Sequence, residues 1–217
     1  MVAGNMGLNC RYQASKEKTF DVYAADFDKD GKSDIVLSYY QNEKQFPLRG
    51  RDCFIKQNAF IATKFPTYGE FGEATVSDIY TQKALDESLH LQAETFANCY
   101  LENDGKGNFK IHKLPNEAQL SSINDMIIDD FDKDGILDIL AVGNLFDMEV
   151  VTPRNDASIG VYLKGDGKEG FNSIPVSETG FFAPNDAKSM ALVKLKNGEK
   201  LVLVGNNNSQ LQVFKLK

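Results

Sequence analysis

Two nine-residue stretches with the same acidic pattern constrain this chain more than any other feature of its sequence. Residues 26–34 read DFDKDGKSD and residues 130–138 read DFDKDGILD, so both place aspartate at positions 1, 3, 5 and 9. Each has glycine at position 6, where a tight loop turns sharply and few other residues can follow. Four carboxylates this close repel one another strongly unless a cation offsets their charge. The pattern therefore predicts two oxygen-lined loops that each hold a Ca²⁺ ion.

The positions in the pattern also predict the ligands. We expect side-chain ligands from the four aspartates and a backbone carbonyl from position 7, as in the loop of an EF-hand. The predicted metal ligands are Asp26, Asp28, Asp30, Lys32 and Asp34 in the first loop, and Asp130, Asp132, Asp134, Ile136 and Asp138 in the second.

The residues after each loop argue against an EF-hand. That motif needs a glutamate at position 12 and an outgoing helix, whereas position 12 here is Leu37 or Ala141. The short apolar runs at 34–40 and 138–143 are typical of buried strands, so each loop is predicted to join two strands of a hairpin. The alternative is a metal-free turn, because aspartate and glycine favour turns for their own reasons. A second copy with the same spacing and the same following strand favours the metal site.

Weaker repeats indicate the fold class. Residues 100–109 match 162–171, and 142–144 match 204–206, both at a shift of 62 positions. The two acidic loops are 104 positions apart. One repeat therefore carries an insertion of 42 residues, the difference between 104 and 62. A repeat of about 60 residues built from four short strands is typical of the blades of a β-propeller. The predicted fold is all-β, a β-propeller segment of four-stranded blades with calcium loops and a short helical insertion.

We divide this single region, residues 1–217, into successive blades. Strands are expected at 123–129, 138–142, 159–164 and 171–176 in the cleanest copy, and at 189–196, 200–204 and 211–216 in the last, where the acidic loop has shrunk to 197–199 and binds no metal. About three blades result, whereas closed propellers have about 4 to 8. We therefore expect the remaining blades to come from a longer chain or another subunit. The predicted divisions are a partial blade at 1–20, a blade at 21–118 with a helical insertion at about 41–92, a blade at 119–180 and a partial blade at 181–217.

These motifs resemble the FG-GAP/VCBS repeats of integrin-α-like propellers, in the bacterial class that often occurs with ASPIC/UnbV domains. The resemblance covers nearly the whole chain. It implies calcium held within blades, ligand contacts made by loops on one face, and a place outside the cytoplasm, secreted or on a bacterial outer surface. Besides the two acidic loops, it rests on the Asp-Gly-Lys turns that end at Phe109 and Phe171, the Gly-Asn strand ends at Asn5, Asn144 and Asn206, and residues 49–53 and 64–68 of the insertion.

The insertion at 41–92 breaks the strand pattern. Thr67 and Glu70 follow Pro66 with the spacing of a capping box, which predicts the start of a short helix. One interpretation is a lid that grips a ligand and presents Arg49, Arg51 and Tyr68. The interpretation that we favour is a structural cap over an apolar sheet, because long insertions are tolerated at surfaces.

Composition narrows the function classes. The chain has no apolar run of 18 residues, so no membrane-spanning helix is expected. The net charge of −7 offers no basic patch for nucleic acid. Three cysteines, Cys10, Cys53 and Cys99, allow at most one disulfide, which excludes a disulfide-dense scaffold.

The sequence carries no nucleophile, zinc or phosphate-loop motif of the common enzyme classes. His90 and His112 are interpreted as surface or packing residues. We predict a non-enzymatic, calcium-dependent recognition, adhesion or scaffold module that binds a protein or glycan. The alternative is a polysaccharide-processing enzyme or its non-catalytic glycan-binding subunit, which would need an acidic pair or a Tyr/His base in a cleft.

Residues with planar, paired hydrogen-bonding groups are the candidates for ligand contact, because such groups suit sugar hydroxyls and carboxylates. The alternative is that the asparagines form a turn and that Arg154 pairs locally with Asp156. The candidate ligand-binding residues are Arg49, Arg51, Asn144, Arg154, Asp156, Asn206 and Asn207.

Overall fold

The computed structural model describes residues 1–148, 152–168 and 170–216. The chain is mostly β, with four antiparallel sheets and a few short helices, which agrees with the all-β prediction. It divides into two compact units. Unit 1 comprises Met1–Arg11 and Phe96–Lys217, and unit 2 comprises Tyr12–Thr95.

In the described residues the strands are β1 (Val2–Ala3), β2 (Phe20–Ala25), β3 (Asp34–Gln41), β4 (Lys44–Pro47), β5 (Leu89–Ala93), β6 (Cys99–Asn103), β7 (Phe109–Lys113), β8 (Ile123–Asp129), β9 (Asp138–Gly143), β10 (Val161–Gly165), β11 (Phe171–Ile174), β12 (Ala187–Lys194), β13 (Lys200–Asn206) and β14 (Gln212–Lys215). The helices are α1 (Arg51–Gln57), α2 (Ile61–Lys64), α3 (Tyr68–Glu73), α4 (Val76–Ile79), α5 (Gln82–Asp86) and α6 (Val176–Thr179), with a 3₁₀ turn at Asn116–Gln119. No helix in this part of the chain is long and apolar enough to cross a membrane.

Unit 2 is one sheet covered by short helices. Its strand order is β4-β3-β2-β5, so the insertion supplies both outer strands as well as helices α1 to α5. Tyr23 and Val36 from the two central strands join a buried cluster with apolar residues of the helices. The helices therefore cover an apolar sheet face, as the cap interpretation predicts. The cluster includes Phe54, Ile61, Phe71, Val76, Ile79, Tyr80 and Leu85.

The capping box predicted from Thr67 and Glu70 begins α3. The Thr67 hydroxyl accepts a hydrogen bond from the Glu70 backbone N–H at 3.2 Å, and the Glu70 carboxylate accepts one from the Thr67 N–H at 2.9 Å. Removing an N-cap side chain costs about 1 kcal/mol. We expect Thr67→Ala to lower the free energy of unfolding by this amount in urea titrations. Thr63→Ala, on the exposed surface of α2, is the control, and an equal loss in both variants would contradict the capping role.

Unit 1 contains three sheets, with strand orders β1-β6-β7, β11-β10-β9-β8 and β12-β13-β14. Strand β9 is buried along its whole length. Ile139 and Ala141 belong to one apolar cluster with Val2 and Tyr100. Leu140 and Val142 alternate with them and belong to another cluster with residues of β13. Because successive side chains of a strand point to opposite faces, the central sheet packs against a neighbouring sheet on each side.

One pairing differs from the division made from the sequence. The hairpin β6-β7 was grouped with the strands that follow residue 21, but β6 pairs with β1, with Tyr100 opposite Val2 and Cys99 opposite Ala3. The sheet that carries the first acidic loop thus lies in the sequence between β1 and β6, as a separate four-stranded unit. Local patterns identify strands, but they do not specify which distant strand becomes a neighbour.

Two of the three Gly-Asn strand ends, at Gly4 and Gly143, have a structural explanation in the backbone. A Cβ atom on Gly143 would lie 1.6 Å from the Ser122 carbonyl oxygen, and one on Gly4 would lie 2.2 Å from the Ile123 carbonyl oxygen. Strand β8 has a register shift between Ile123 and Asp125. Glycine is required at these strand ends because a neighbouring backbone passes too close for any side chain.

Candidate metal centres

The two acidic loops have the same backbone path. Each closes a hairpin at its ninth position, where Asp34 pairs with Ala25 and Asp138 pairs with Asp129. In each loop, two residues have positive φ, the lysine at position 4 (64° and 65°) and the glycine at position 6 (88° and 87°). The requirement for glycine at position 6, expected from the sequence, is thus a conformational one.

Backbone N–H groups orient the first and last carboxylates of the loop. The Asp26 carboxylate accepts hydrogen bonds from the N–H groups of Asp30 (3.0 Å) and Gly31 (2.9 Å). Asp34 accepts one from the Phe27 N–H at 3.0 Å. The second loop repeats all three bonds, with Asp134 and Gly135 donating to Asp130, and Phe131 donating to Asp138.

Three carboxylates converge in each loop. Oxygen atoms of Asp26, Asp28 and Asp34 lie within 4.8 Å of one another, and those of Asp130, Asp132 and Asp138 do the same. The ninth-position aspartates are the buried members, with 5% and 0% of their surface exposed. These six of the predicted ligands are therefore brought together at two sites.

The fifth-position aspartates lie outside these groups. Asp30 accepts a hydrogen bond from the Lys32 N–H at 2.8 Å, and Asp134 accepts one from the Ile136 N–H at 2.9 Å. A metal contact by these two carboxylates, and by the carbonyl oxygens of Lys32 and Ile136, stays a prediction.

Electrostatic repulsion is evident in the first loop. Burial raises the pKa of the Asp34 carboxyl, and the charges of the neighbouring carboxylates of the loop raise it further. Each loop offers only oxygen ligands, with no cysteine or histidine in the group. Such a donor set suits a hard cation such as Ca²⁺ and does not suit zinc or copper. The residues present therefore fit the predicted ion.

Each loop also has a tyrosine that the sequence analysis missed. The Tyr162 hydroxyl, from β10, donates a hydrogen bond to Asp138 at 2.6 Å. Tyr80, which follows α4, packs its ring against that of Phe27 at 4.2 Å and is only 4% exposed. Its hydroxyl has no hydrogen-bond partner among the described residues. Burial raises the pKa of Tyr80, and the charges of Asp34 and Asp28 raise it further, so this hydroxyl lies within electrostatic reach of the first loop.

The loops differ in their lysines. The Lys164 ammonium makes ion pairs with Asp132 and, at 2.8 Å, with Asp134. Hydrogen bonds to these carboxylates raise the pKa of Lys164, and the same contact lowers the pKa of Asp134. In the first loop, Lys32 reaches Asp30 at 3.4 Å, with a side chain that is 84% exposed. The second loop therefore contains a cation supplied by the chain itself.

Two of the candidate ligand-binding residues make hydrogen bonds that stabilise the fold. Asn144 is fully buried, and its amide donates to the carbonyl oxygens of Ser158, Pro184 and Asn185 at 2.8 to 3.1 Å. Arg51 donates to the carbonyl oxygens of Phe65 and Ala62 and is 14% exposed, so it stabilises the helical layer. The structure thus corrects the assignment of Asn144 to a binding surface.

The other candidates make mainly local contacts. Arg154 lies over the Phe146 ring at 4.1 Å and 3.6 Å from Asp156, so the local pair is present. Asn207 donates to Asp147 and Asp186, and Asn206 donates to Gln210 and Gln212. Arg49 is half-buried just before α1.

The histidines and cysteines lie outside the two acidic loops. His90 contacts Asp21 at 2.6 Å and stacks on Tyr23, and His112 contacts Glu102 at 2.9 Å. The three cysteines are free thiols, so the single disulfide that their number allowed is not formed.

Comparison with known proteins gives no match. No family model, no curated protein and no solved structure matches this chain. The resemblance to FG-GAP/VCBS repeats rests on the motifs of the sequence alone.

Proposed function

We propose that the chain is a calcium-binding repeat protein of the FG-GAP/VCBS, integrin-α-like type, in which Ca²⁺ has a structural role. One observation carries the proposal, namely two loops of the same backbone path that each bring three carboxylates within 4.8 Å of one another. A bound Ca²⁺ would offset this charge and cross-link the two strands of each hairpin. Asp26, Asp28 and Asp34 would hold the ion in unit 2, and Asp130, Asp132 and Asp138 in unit 1.

The packing of unit 1 supports a propeller arrangement as part of this proposal. Antiparallel sheets that follow one another in sequence pack on both faces of β9, as adjacent blades do. Further blades from a longer chain or a second subunit would complete the ring. The ion would stabilise the blades that present recognition loops to a protein or glycan.

We place this function outside the cytoplasm, on a cell surface or in a secreted protein. Calcium sites of extracellular modules bind at about 10⁻⁴ to 10⁻³ M, concentrations that the cytoplasm does not reach. The carboxylates that converge in the loops would be committed to the ion and not to catalysis. The proposal is therefore a non-enzymatic binding or scaffold module.

Calorimetric titration of the metal-free chain with CaCl₂ tests the metal sites. We expect two equivalents of Ca²⁺ to bind, with Asp28→Asn removing one and Asp132→Asn the other, because each change removes a charge from one group of three carboxylates. Asp104→Asn, in an exposed Asp-Gly turn outside the loops, is the matched control. Absence of binding, or an equal loss in the control, would refute the assignment.

A further inference from the structure

Lys164 makes the two loops chemically unequal. We propose that its ammonium group is an internal counter-cation of the second loop, which a divalent ion must displace, so that the first loop binds Ca²⁺ more tightly. This inference rests on the proposed calcium-binding function. It assigns to Lys164 the role of setting the order in which the two sites fill.

The position of Lys164 on β10 explains its contact with the loop. It lies two residues after Tyr162, and residues two apart on a strand point to the same face. The Tyr162 hydroxyl reaches Asp138, and the Lys164 ammonium reaches Asp132 and Asp134. Both groups therefore act on the same loop from one strand. Asp132 is the residue shared between the ammonium and the group of three carboxylates.

The pairing lies at the surface of unit 1. The side chain of Lys164 is 36% exposed, and those of Asp132 and Asp134 are 34% and 31% exposed. Its effect is therefore best measured at low ionic strength, because dissolved ions screen surface ion pairs. One ammonium shared by two carboxylates also forms a small network, which is more effective than an isolated surface pair.

The first loop has no equivalent cation. Among the described residues of unit 2, no ammonium group lies within 4.0 Å of Asp26, Asp28 or Asp34. The buried Tyr80 packs its ring against Phe27 of this loop, and its neutral hydroxyl has no hydrogen-bond partner in the described structure. A Ca²⁺ ion bound by these three carboxylates would therefore displace no lysine of the described part of unit 2.

The sequence repeat shows that the lysine is a feature of one site. In the hairpin 100–109, which matches 162–171, the residue equivalent to Lys164 is Glu102. The lysine is therefore not required by the hairpin itself. Its charge matters where an acidic loop lies beside it, because a bound divalent ion and the ammonium would compete for Asp132.

Calorimetric titration of the full chain with Ca²⁺ alone, at low salt, tests the inference. The wild-type chain should show two unequal sites, and Lys164→Met should tighten the weaker one by about two- to fivefold without changing the tighter one. The variants Asp28→Asn and Asp132→Asn identify which loop each binding constant belongs to. Lys168→Met removes the same charge from the adjacent turn and should change neither constant. Lys164→Gln repeats the test with a polar side chain if the methionine variant does not fold.

A second measurement compares the melting temperatures of the variants without and with the metal. In chelator, Lys164→Met should melt at a lower temperature than wild type, because the carboxylates lose their counter-cation, and saturating Ca²⁺ should remove the difference. Two sites of equal affinity, or identical behaviour of Lys164→Met and Lys168→Met, would overturn this inference and leave the proposed calcium function intact. Absence of Ca²⁺ binding in every variant would instead overturn the calcium function and the inference with it.

Discussion

We expect saturating Ca²⁺ to raise the melting temperature of the full chain, and a chelator to lower it again. A ligand that binds only the folded state adds about 2.7 kcal/mol of stability per site at a concentration 100-fold above its dissociation constant. In a domain of about 60–100 residues, each kcal/mol shifts the melting temperature by about 4–8 °C. We therefore expect unit 2 to melt at least about 10 °C higher with saturating Ca²⁺, because in the described residues no lysine pairs with the three converging carboxylates of its loop.

Differential scanning calorimetry of the same sample in chelator and in CaCl₂ measures this effect. Asp28→Asn should remove most of the shift in the transition of unit 2, since Asp28 is one of the three converging carboxylates of that unit. Mg²⁺ at the same concentration should stabilise less, because it requires a smaller octahedral site and retains its water. Superimposable melting curves in chelator and in Ca²⁺ would refute a structural role for the ion.

The convergence of three carboxylates in each loop could be predicted from the sequence because they belong to one continuous segment. Within such a segment the backbone fixes where each carboxylate lies. Tyr80 and Tyr162 had no such signal. They reach the loops from a helix in the insertion and from the strand β10, respectively, through tertiary packing. Their aromatic rings were visible in the sequence, but their position relative to the carboxylates was not.

The strands were predicted better than their partners. Alternation and turn residues placed β8, β9 and β13 within a few residues of their observed bounds. Strands β1 and β6 lie on either side of unit 2 in the sequence, so no local pattern predicts their pairing. A hairpin can be predicted from residues that are adjacent in the sequence. The pairing of strands across a long insertion depends instead on which apolar faces can pack together.

Asn144 shows why side-chain chemistry alone does not identify a binding residue. An amide can contact a sugar or cap a strand end with the same hydrogen bonds, and burial decides between these roles. Here the side chain is fully buried, its amide donates to three carbonyl oxygens, and its Oδ1 accepts a bond from the Ser158 N–H at 3.0 Å. Asn144 also has a φ of 80°, which asparagine tolerates better than alanine does.

We therefore expect Asn144→Ala to destabilise unit 1 by about 4 kcal/mol. Each buried polar group left without a partner costs about 1–3 kcal/mol, and alanine at positive φ costs about 1–2 kcal/mol more. Urea unfolding of the full chain measures the loss, and Asn144→Gly separates the backbone contribution from the hydrogen bonds. Asn172→Ala, at an exposed asparagine of β11, should cost less than about 1 kcal/mol and is the control. If Asn144→Ala unfolded like wild type, its hydrogen bonds would not stabilise this strand end.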